Sequence, residues 1–574
     1  MKFSGILRSA CSALVTLAVC VCVFNSCMIN LYAAETSNTA EMRKMPKKKF
    51  IELGWDIPDT EFIRDNYQKM EVESPFSGVI YEIRPRNGKF EDSSQWLLTP
   101  DKWNRENFRP CIEDIKSCQF ETFTDNFIRM NFTPGTVPWD DDAGWETLAE
   151  KAAICAWVAK ENGSRGVCVD FETYGNTIFR WEPDKMNGLT FQEAKKYARK
   201  RGNQFLSAVA KEFPDAVILT LFMNSANFEA AKQPDVEAAL MQSGYGLLPS
   251  FVDGMLEAAT PEMILVDGCE TGYYIEEEQF KDYALDMVLW TGKAMKLVAP
   301  ELRQKYRAQV QCSFGLYLDM YTNPEAKVNY KGPKREGETR YDRYIRSVED
   351  SLNAVDQYVW IYGEHNRWWN IPEEQNPEKP CFHWEEKLPG ITNHMRYLID
   401  PQWTLGMMSR RVAEGLEGEN CLKNPTFSKV EDGRVTDWLF WQNEEKPVGR
   451  TFAETVGDTP AVSYEKVVNG CSIQILDVKP GEQYFTELRV RTAGKATAHL
   501  NVSWQDENGW RWELSDVFEA PKDVPADENG WKTIRGWFLV PPGITKMHFM
   551  PSVADQETAE DTCSFADAKL YRLR

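Results

Sequence analysis

The 574-residue chain has few residues that bind metals and lacks the common nucleotide-binding signatures. It contains only five histidines, and no HExxH motif or CxxC pair occurs beyond its N-terminal segment. Because zinc sites are built from such clusters, we do not expect a zinc centre. GxSxG, Walker A and GxGxxG motifs are also missing, which argues against a serine-hydrolase elbow and the usual nucleotide-binding folds. We therefore expect catalysis to need no cofactor.

Positively charged residues are also fewer than negatively charged ones. The chain has 66 lysines and arginines against 87 aspartates and glutamates, a formal net charge of -21. A surface of this sign repels phosphate backbones, so nucleic acid is not an expected partner. Hydrophobic residues at 43% and charged residues at 27% are typical of a globular protein and exclude a disordered or polytopic membrane chain.

Long apolar runs are missing except near the N-terminus. Residues 13–24 are apolar and follow Lys2 and Arg8, the pattern of an export signal and too short for a comfortable membrane span. We expect the export signal over residues 1–34 and a polar linker over 35–49. The mature chain is then secreted, periplasmic or on the cell surface, with no integral membrane span.

The cleavage site of this signal has two interpretations. Small residues stand at 33–34, whereas FNSC at 24–27 is an imperfect lipoprotein box in which Cys27 would carry a lipid anchor. Ten further cysteines follow the signal. An oxidising compartment allows one or two disulfides, but several of these cysteines stand in apolar runs, where free buried thiols are favoured. The sequence assigns no pairing and does not indicate the oligomeric state.

Residues 50–418 alternate between short apolar runs and longer amphipathic stretches. Helical spacing is clearest at 145–162, 190–213, 276–298 and 342–354. Eight such units fit a (β/α)8 TIM barrel better than an open doubly wound sheet, which is the alternative. The eight predicted strands are 50–54, 78–83, 126–131, 166–171, 216–222, 263–266, 308–314 and 357–362.

Residues 419–574 have a different pattern, with short alternating strands and tight-turn signals, and predict an all-β sandwich. NPTF at 424–427, Trp438, VKPGEQY at 478–484 and FADAKLY at 565–571 resemble the jelly-roll carbohydrate-binding modules. The resemblance implies sugar binding by this domain, although some jelly rolls bind no sugar. It also makes Asp567 a candidate ligand of a structural calcium ion, but calcium takes six to eight oxygens and one carboxylate is little support.

Acidic residues stand where the predicted barrel strands end, which is where the chemistry of such barrels takes place. The fourth strand leads into DFETYG, in which Asp170 and Glu172 are two residues apart and share a face. Neighbouring carboxylates raise each other's proton affinity, so one of them can act as a general acid near neutral pH. The alternative is a salt-bridged or hydrogen-bonded pair that closes the top of the barrel.

Two later strands end in acids as well. Asp267 and Glu270 follow the sixth strand, and Glu364 follows the eighth, where it equally fits a helix-capping or arginine-paired acid. Polar and aromatic residues at the strand ends are expected to bind substrate around the same rim, although each alone is compatible with a structural role. They are Trp55, Asp56, Arg129, Asn131, Trp139, Tyr174, Asn224, Tyr273, Tyr317, His365, Trp368 and Trp369, with Asp319 beside them.

Acids from three strands beside aromatic platforms are what glycosidic cleavage requires. The region resembles glycoside hydrolase barrels, in which a carboxylate after strand four is a recurrent catalytic position and its partner follows strand six, seven or eight. The Asp-x-Glu spacing is also similar to the end of the chitinase-type motif. Gly166 and Val167 stand where that motif has an earlier aspartate, which argues against substrate-assisted chemistry.

The sequence therefore favours an exported glycoside hydrolase acting on a polysaccharide or complex glycan. Glu172 would be the general acid, with Asp170 modulating it, and Asp267, Glu270 or Glu364 the nucleophile or base. Two alternatives stay open. One is a catalytically silent surface glycan-binding protein. The other is a polysaccharide lyase, which would use a Tyr, His or Lys base and neutralise a uronate with a cation or basic side chain.

Overall fold

The computed structural model describes residues 46–86, 88–89, 92–175, 177–369, 382–443 and 449–573. The predicted export signal, its Cys27 lipoprotein box and most of the linker lie outside these ranges. Within them, no helix combines the length and the apolar character that crossing a bilayer requires.

A parallel sheet closes into a barrel in the N-terminal part of the chain. Its strands pair in the order β7-β6-β5-β4-β3-β2-β1-β9-β8. Ser313 alone separates β7, which pairs with β6, from β8, which pairs with β9, so one interrupted strand completes the circle. The strands are β1 (Lys49–Gly54), β2 (Gly78–Tyr81), β3 (Phe127–Asn131), β4 (Gly166–Asp170), β5 (Val217–Thr220), β6 (Ile264–Asp267), β7 (Val310–Cys312), β8 (Phe314–Tyr317) and β9 (Tyr358–Gly363).

The predicted TIM barrel is therefore confirmed. The predicted seventh strand, 308–314, is wrong in extent, because residues 308–309 end a helix and the strand continues beyond Ser313 to Tyr317. The apolar run predicted the strand. Its interruption at Ser313 depends on the sheet, in which the Ser313 N–H donates to the carbonyl of Asp267 at 3.0 Å.

Helices connect the barrel strands, as parallel pairing requires. They are α1 (Thr60–Glu73), α2 (Arg109–Ser117), α3 (Asp142–Asn162), α4 (Phe191–Glu212), α5 (Phe228–Ala231), α6 (Val236–Gln242), α7 (Leu248–Ala258), α8 (Glu278–Val288), α9 (Lys293–Leu297), α10 (Arg303–Gln309), α11 (Arg340–Ala354), α12 (Trp384–Lys387), α13 (Ile391–Ile399) and α14 (Pro401–Ala413). Short 3-10 helices are Ser94–Trp96, Arg105–Phe108, Pro183–Lys185, Asn224–Asn227, Glu270–Tyr273, Pro300–Leu302, Leu318–Tyr321 and Trp512–Leu514.

Local sequence sets the ends of the two longest helices. Asp141 caps α3 by accepting from the Gly144 N–H, and Gly163 ends it with a φ of 81°, a conformation that costs glycine little. Thr190 and Glu193 form a reciprocal capping box at the start of α4. These helices are therefore predictable from sequence to within about three residues.

The C-terminal part forms two large antiparallel sheets and a two-stranded one of β10 and β11, which confirms the predicted all-β sandwich. One has the order β12-β15-β21-β17-β18, with β19 also paired to β17, and the other the order β13-β14-β22-β16-β20. The strands are β10 (Val430–Glu431), β11 (Arg434–Val435), β12 (Leu439–Gln442), β13 (Arg450–Val456), β14 (Thr459–Glu465), β15 (Asn469–Asp477), β16 (Gln483–Ala493), β17 (Thr497–Asp506), β18 (Gly509–Trp510), β19 (Asp516–Phe518), β20 (Lys532–Leu539), β21 (Lys546–Ala554) and β22 (Thr562–Arg572).

The last helix connects the barrel to the sandwich by direct packing. Leu405 and Met408 of α14 share a buried apolar cluster with Phe485 and Trp537 of the sandwich. Beside this cluster, the Ser409 hydroxyl donates to the Glu487 carboxylate at 2.8 Å. The predicted boundary near residue 418 thus lies just after a helix that contacts both parts.

The cysteines are thiols throughout the part of the chain that the structure describes. Nine are free, and seven of these are buried. This agrees with their positions in apolar runs of the sequence.

Candidate active site

A cavity of about 630 Å³ opens where the barrel strands end. Its wall brings together acids that follow β2, β4, β6 and β9, and tyrosines and a tryptophan that surround them. The lining residues are Leu53, Gly54, Trp55, Ile57, Glu82, Gln95, Arg129, Glu172, Tyr174, Leu221, Glu270, Tyr273, Tyr274, Tyr317, Asn329, Tyr362 and Glu364.

Asp170 lies beneath this wall and is fully buried at the end of β4. One carboxylate oxygen accepts from the Arg129 guanidinium at 2.9 Å, and the other accepts from the Glu172 N–H at 2.9 Å. Arg129 also donates to the Asn131 side chain at 2.7 Å. Asp170 therefore holds the backbone of Glu172 and balances Arg129, and it does not itself line the cavity.

Glu172 is half-buried and lies close to several charges. Burial, the charge of Asp170 and, more weakly, the charge of Glu364 raise the pKa of its carboxyl to about 7. A hydrogen bond from the Tyr174 hydroxyl and the charge of Arg129 oppose the rise. A carboxyl group with this pKa holds its proton in a large fraction of molecules near neutral pH, which suits a general acid.

Glu270 occupies the first position of the 3-10 helix after β6. The preceding residue, Cys269, has a φ of 40°, so the chain turns sharply here and carries Glu270 to the cavity. Burial, together with the charges of Glu172 and Asp170, raises the pKa of Glu270 to about 8. Since the repulsion is mutual, the Glu172–Glu270 pair retains a proton at neutral pH.

Glu364 has different surroundings, dominated by hydroxyl donors. The Tyr362 hydroxyl donates to its carboxylate at 3.0 Å, and Tyr317 provides a second phenol hydrogen bond. Burial and the charge of Glu364 raise the pKa of both phenols, so they stay protonated and able to donate. Charge-assisted donors of this kind stabilise an ionised carboxylate.

The loop that carries Glu364 is fixed from below by Asp319, which is fully buried. Its carboxylate accepts from the N–H of Glu364 at 2.7 Å and from the N–H of His365 at 3.1 Å. On the cavity side, the Trp55 indole donates to the Tyr362 hydroxyl at 3.0 Å. Residues from β1, β8 and β9 thus orient one carboxylate together.

Asp267 was a further candidate partner of Glu172, but the structure does not bring it to the cavity. It is fully buried, and its carboxylate accepts at 3.0 Å from the N–H groups of Met223 and Ser225. The Ser225 hydroxyl donates to it as well. Asp267 therefore closes the turn after β5, a role that local sequence does not distinguish from catalysis.

The proposed binding residues divide into two groups. Trp55, Arg129, Tyr174, Tyr273 and Tyr317 line the cavity, and Trp55 and Tyr174 expose 49% and 61% of their surfaces there, enough to stack on a sugar ring.

The remaining binding residues lie elsewhere. Trp139 is in the core, stacked on Trp145, and the structure therefore contradicts a substrate contact for it. Outside this lining, His365 is half-buried, with its ring 6.1 Å from that of Trp55. The others are buried: Asp56, Asn131, Asn224, Trp368 and Trp369.

The direction in which each side chain points explains these differences. An aromatic residue after a strand faces either the open rim or the helices around it, and the sequence does not indicate which. Trp368 and Trp369 face a second cavity of about 1120 Å³ beside α1, α13 and α14. Asn224 is fully buried, and neither polar atom of its side chain has a hydrogen-bond partner among the described residues.

The sequence did not single out some lining residues. Tyr362 is on β9 and precedes Glu364, which follows the strand, by two residues, so side-chain alternation was a usable signal. Tyr274 adjoins Tyr273, and Glu82 ends the second predicted strand region. Glu82 accepts from Gln95 at 2.8 Å, and burial raises its pKa. Asn329 comes from a long loop and has no local signal.

The calcium expectation at Asp567 does not fit its surroundings. Its carboxylate accepts from the Arg489 guanidinium at 3.2 Å, a cation in the place that further oxygen ligands would need. Across the described ranges, no group of three or more His, Cys, Asp or Glu side chains is placed to hold a metal ion.

Comparison with known proteins assigns no family. No family model matches the chain, and no curated protein matches it. Solved structures with partial similarity include glycoside hydrolases and carbohydrate-binding modules. The tailspike protein 4 enzymatically active domain of bacteriophage CBA120 is 13% identical over 27% of this chain, with a TM-score of 0.22, and the chain covers 21% of its length.

Two xylan-related structures are similar to the same limited degree. The CBM22-1 xylan-binding domain of Paenibacillus barcinonensis Xyn10C is 12% identical over 26% of this chain and 92% of its own, with a TM-score of 0.20. The CBM22-1-GH10 modules of Clostridium thermocellum Xyn10B are 17% identical over 24% of this chain and 26% of their own, with a TM-score of 0.19. At these TM-scores, the functional proposal depends on the cavity itself.

Proposed function

We propose that this protein is a glycoside hydrolase that cleaves glycosidic bonds of a polysaccharide or complex glycan, outside the cytoplasm as its predicted export signal implies. One observation carries the proposal: Glu172, Glu270 and Glu364, from three separate strand ends, line one cavity together with exposed aromatic side chains. Hydrolysis of a glycoside needs a proton donor, a carboxylate partner and apolar platforms for sugar rings, and this cavity contains all three.

The surroundings of the acids support one division of roles. Glu172 protonates the leaving glycosidic oxygen, because burial keeps its proton available near neutral pH. Glu364, oriented by Tyr362 and Tyr317, attacks the anomeric carbon or activates water. Glu270 keeps its own proton when Glu172 ionises, because burial and the charge of Glu172 raise the pKa of Glu270 to about 8.

We expect Glu270→Gln to leave the alkaline limb of kcat/KM in place. Burial and the charge of Glu172 raise the pKa of Glu270 to about 8, above the pKa of about 7 for Glu172. Glu270 is therefore still neutral when Glu172 ionises, and glutamine is neutral as well. Rate measurements between pH 4 and 9 test this.

Glu262→Gln is the matched control. Glu262 precedes β6 at the opposite end of the same strand and is exposed. Its variant should keep the wild-type pH profile. An alkaline limb that moves clearly to lower pH in Glu270→Gln would show that Glu270 is ionised when Glu172 loses its proton, and it contradicts the proposed role of Glu270.

The sandwich supplies a second sugar-binding surface in this proposal. Trp510 and Trp512 stack at 4.2 Å with an interplanar angle of 6°, and they expose 40% and 57% of their surfaces. The ring of His548 lies 4.2 Å from that of Trp510, and its buried Nε2 has no partner within the described residues. Exposed aromatic rings suit the apolar face of a sugar ring.

We therefore expect Trp510→Ala and Trp512→Ala to weaken retention on polysaccharide by about tenfold each, which corresponds to loss of one stacking contact of about 1–2 kcal/mol. Turnover of small soluble glycosides should not change, because the barrel cavity is intact. Affinity electrophoresis in polysaccharide gels measures this. Trp290→Ala is the control, since Trp290 is an exposed barrel tryptophan that packs under Arg307. If polysaccharide retains Trp510→Ala and Trp512→Ala as strongly as it retains the wild type and Trp290→Ala, the proposed sugar-binding surface of the sandwich is contradicted.

A panel of plant, marine and host glycans distinguishes the proposal from its alternatives. New reducing ends without ultraviolet absorbance indicate hydrolysis. An unsaturated, ultraviolet-absorbing product indicates a lyase and would contradict the proposal. Binding without any product across the panel would favour the glycan-binding alternative.

A further inference from the structure

Two carboxyl groups that the proposed chemistry does not use face each other behind the cavity wall. Glu52 of β1 and Asp56 after β1 are each 1% exposed. Neither acid lines the cavity, although Leu53 and Gly54 between them do.

Their oxygens converge over a glycine. One oxygen of Asp56 lies 2.2 Å, and one of Glu52 lies 3.0 Å, from the position that a Cβ on Gly54 would occupy. A side chain at residue 54 would therefore collide with the pair, and glycine allows the two carboxyl groups to meet.

Their hydrogen bonds are unequal. Asp56 accepts from the Trp368 N–H at 2.8 Å. Neither oxygen of Glu52 receives a donor from the parts of the chain that the structure describes. Two carboxylates in contact are both acceptors and repel each other, so a buried contact of this kind requires one proton between them.

The nearby positive charge can balance one ionised carboxylate in the Glu52–Asp56 pair, but not two. Arg367, which is 4% exposed, is the main cation facing both acids, and Arg129 of β3 acts on Glu52 more weakly. Burial and the charge of Asp56 raise the pKa of Glu52 well above its ordinary value. Asp56 has the backbone donor and is therefore the ionised member of the pair.

The pair contacts the loop that carries Glu364. Besides holding the Trp368 N–H, Asp56 accepts at its backbone oxygen from the Trp369 indole at 2.7 Å. Arg367 donates to the backbone carbonyl of Glu364. The loop from residue 364 to 369 is thus fastened to the exit of β1 through Asp56, and Arg367 makes hydrogen bonds within the loop.

We infer that Glu52 is a positioning residue: a neutral carboxylic acid that donates its proton to Asp56, so that Asp56 holds the loop that orients Glu364. The effect on Glu364 rests on the proposed function. The protonation of Glu52 does not, and substrate-free measurements test it separately.

The first test compares the wild type with Glu52→Gln without substrate. The unfolded chain releases the glutamate proton above about pH 4.5, its ordinary pKa, while the native chain keeps it. Native wild-type stability therefore falls as pH rises above that value, and glutamine removes this slope. We expect the Tm of Glu52→Gln, relative to wild type, to rise steadily from pH 5 to 8.

Infrared spectroscopy provides an independent readout. We expect the difference spectrum between the wild type and Glu52→Gln at pH 7 to contain the carbonyl band of one buried protonated carboxyl group, since the bands of Glu172 and Glu270 are common to both proteins and cancel. In Asp56→Asn the loss of the neighbouring charge should let Glu52 ionise at lower pH. A Tm difference that does not change with pH, together with no band assignable to Glu52, would overturn the inference even if the protein is an active glycosidase.

The second test concerns the loop and uses a rescue. Glutamine can still donate to Asp56, so Glu52→Gln should keep kcat within about twofold of wild type. Leucine cannot donate, so Glu52→Leu should lower kcat by about tenfold or more with little change in KM, because a misplaced group costs transition-state stabilisation.

Equal loss of kcat in both variants would overturn the positioning role, and so would equal retention. Should Glu52→Leu fail to fold, Asp56→Asn takes its place: it keeps an acceptor for Trp368 but lacks the charge, and an intermediate loss of kcat is expected. If no glycan is hydrolysed by the wild type, the proposed function fails while the Tm and infrared results still decide the protonation of Glu52.

Discussion

Glu172→Gln is expected to reduce kcat on natural glycans by about a thousandfold, within the range of about 10² to 10⁴ that a positioned proton donor contributes. Glutamine has the same size and can still accept from the Tyr174 hydroxyl, but it has no acidic proton for the leaving oxygen. Near-normal hydrolysis by this variant would remove Glu172 from the mechanism.

The pH dependence of the wild type provides a second signature of the same group. Only the protonated form of Glu172 donates, and burial raises its pKa to about 7, so wild-type kcat/KM should fall as pH rises through that value. Glu172→Gln should lack this limb. Aryl glycosides with a strongly acidic leaving group need no proton, and the variant should hydrolyse them far better than natural substrates. Glu262→Gln controls for the loss of an acid on the protein surface.

Glu364→Ala is expected to lower kcat on natural glycans at least as much, by about a thousandfold or more. It removes the carboxylate that Tyr362 and Tyr317 orient, and it leaves a gap of carboxylate size beside the anomeric carbon. Added azide should enter this gap and attack that carbon, while the leaving oxygen departs with the proton of Glu172. The product is then a glycosyl azide, which mass spectrometry detects.

The azide experiment also distinguishes between the two candidate partners. If azide restores the activity of Glu270→Ala and not that of Glu364→Ala, then Glu270 is the nucleophile or base and Glu364 is not. Glu325→Ala is the control, because Glu325 is exposed in the loop after β8 and should neither lose activity nor respond to azide. Full activity of Glu364→Ala would contradict a catalytic role for this residue.

Periodicity and turn chemistry made most of the architecture predictable. Apolar runs predicted the barrel strands to within a few residues, and capping residues such as Thr190 marked the helices between them. The exception was the seventh strand, whose interruption at Ser313 depends on pairing with two different neighbours.

The site was less predictable, for a reason that the acids after β6 illustrate. Asp267 and Glu270 are three residues apart, and both follow a buried strand. Only Glu270 reaches the cavity, because the chain turns sharply at Cys269 while Asp267 accepts from the loop after β5. Sequence shows that two acids are close to the rim, but their hydrogen-bond partners come from distant segments.

The order of the amino acids by itself determines that this chain has an α/β barrel and a β-sandwich, and that acids cluster at strand ends, because periodicity and backbone preference act over a few residues. Which acids face one cavity, which tryptophans are buried and which carboxyl keeps a proton depend on the packed molecule. Burial and electrostatic interactions act through space, and they join β1, β4, β6 and β9 across more than 300 residues of sequence.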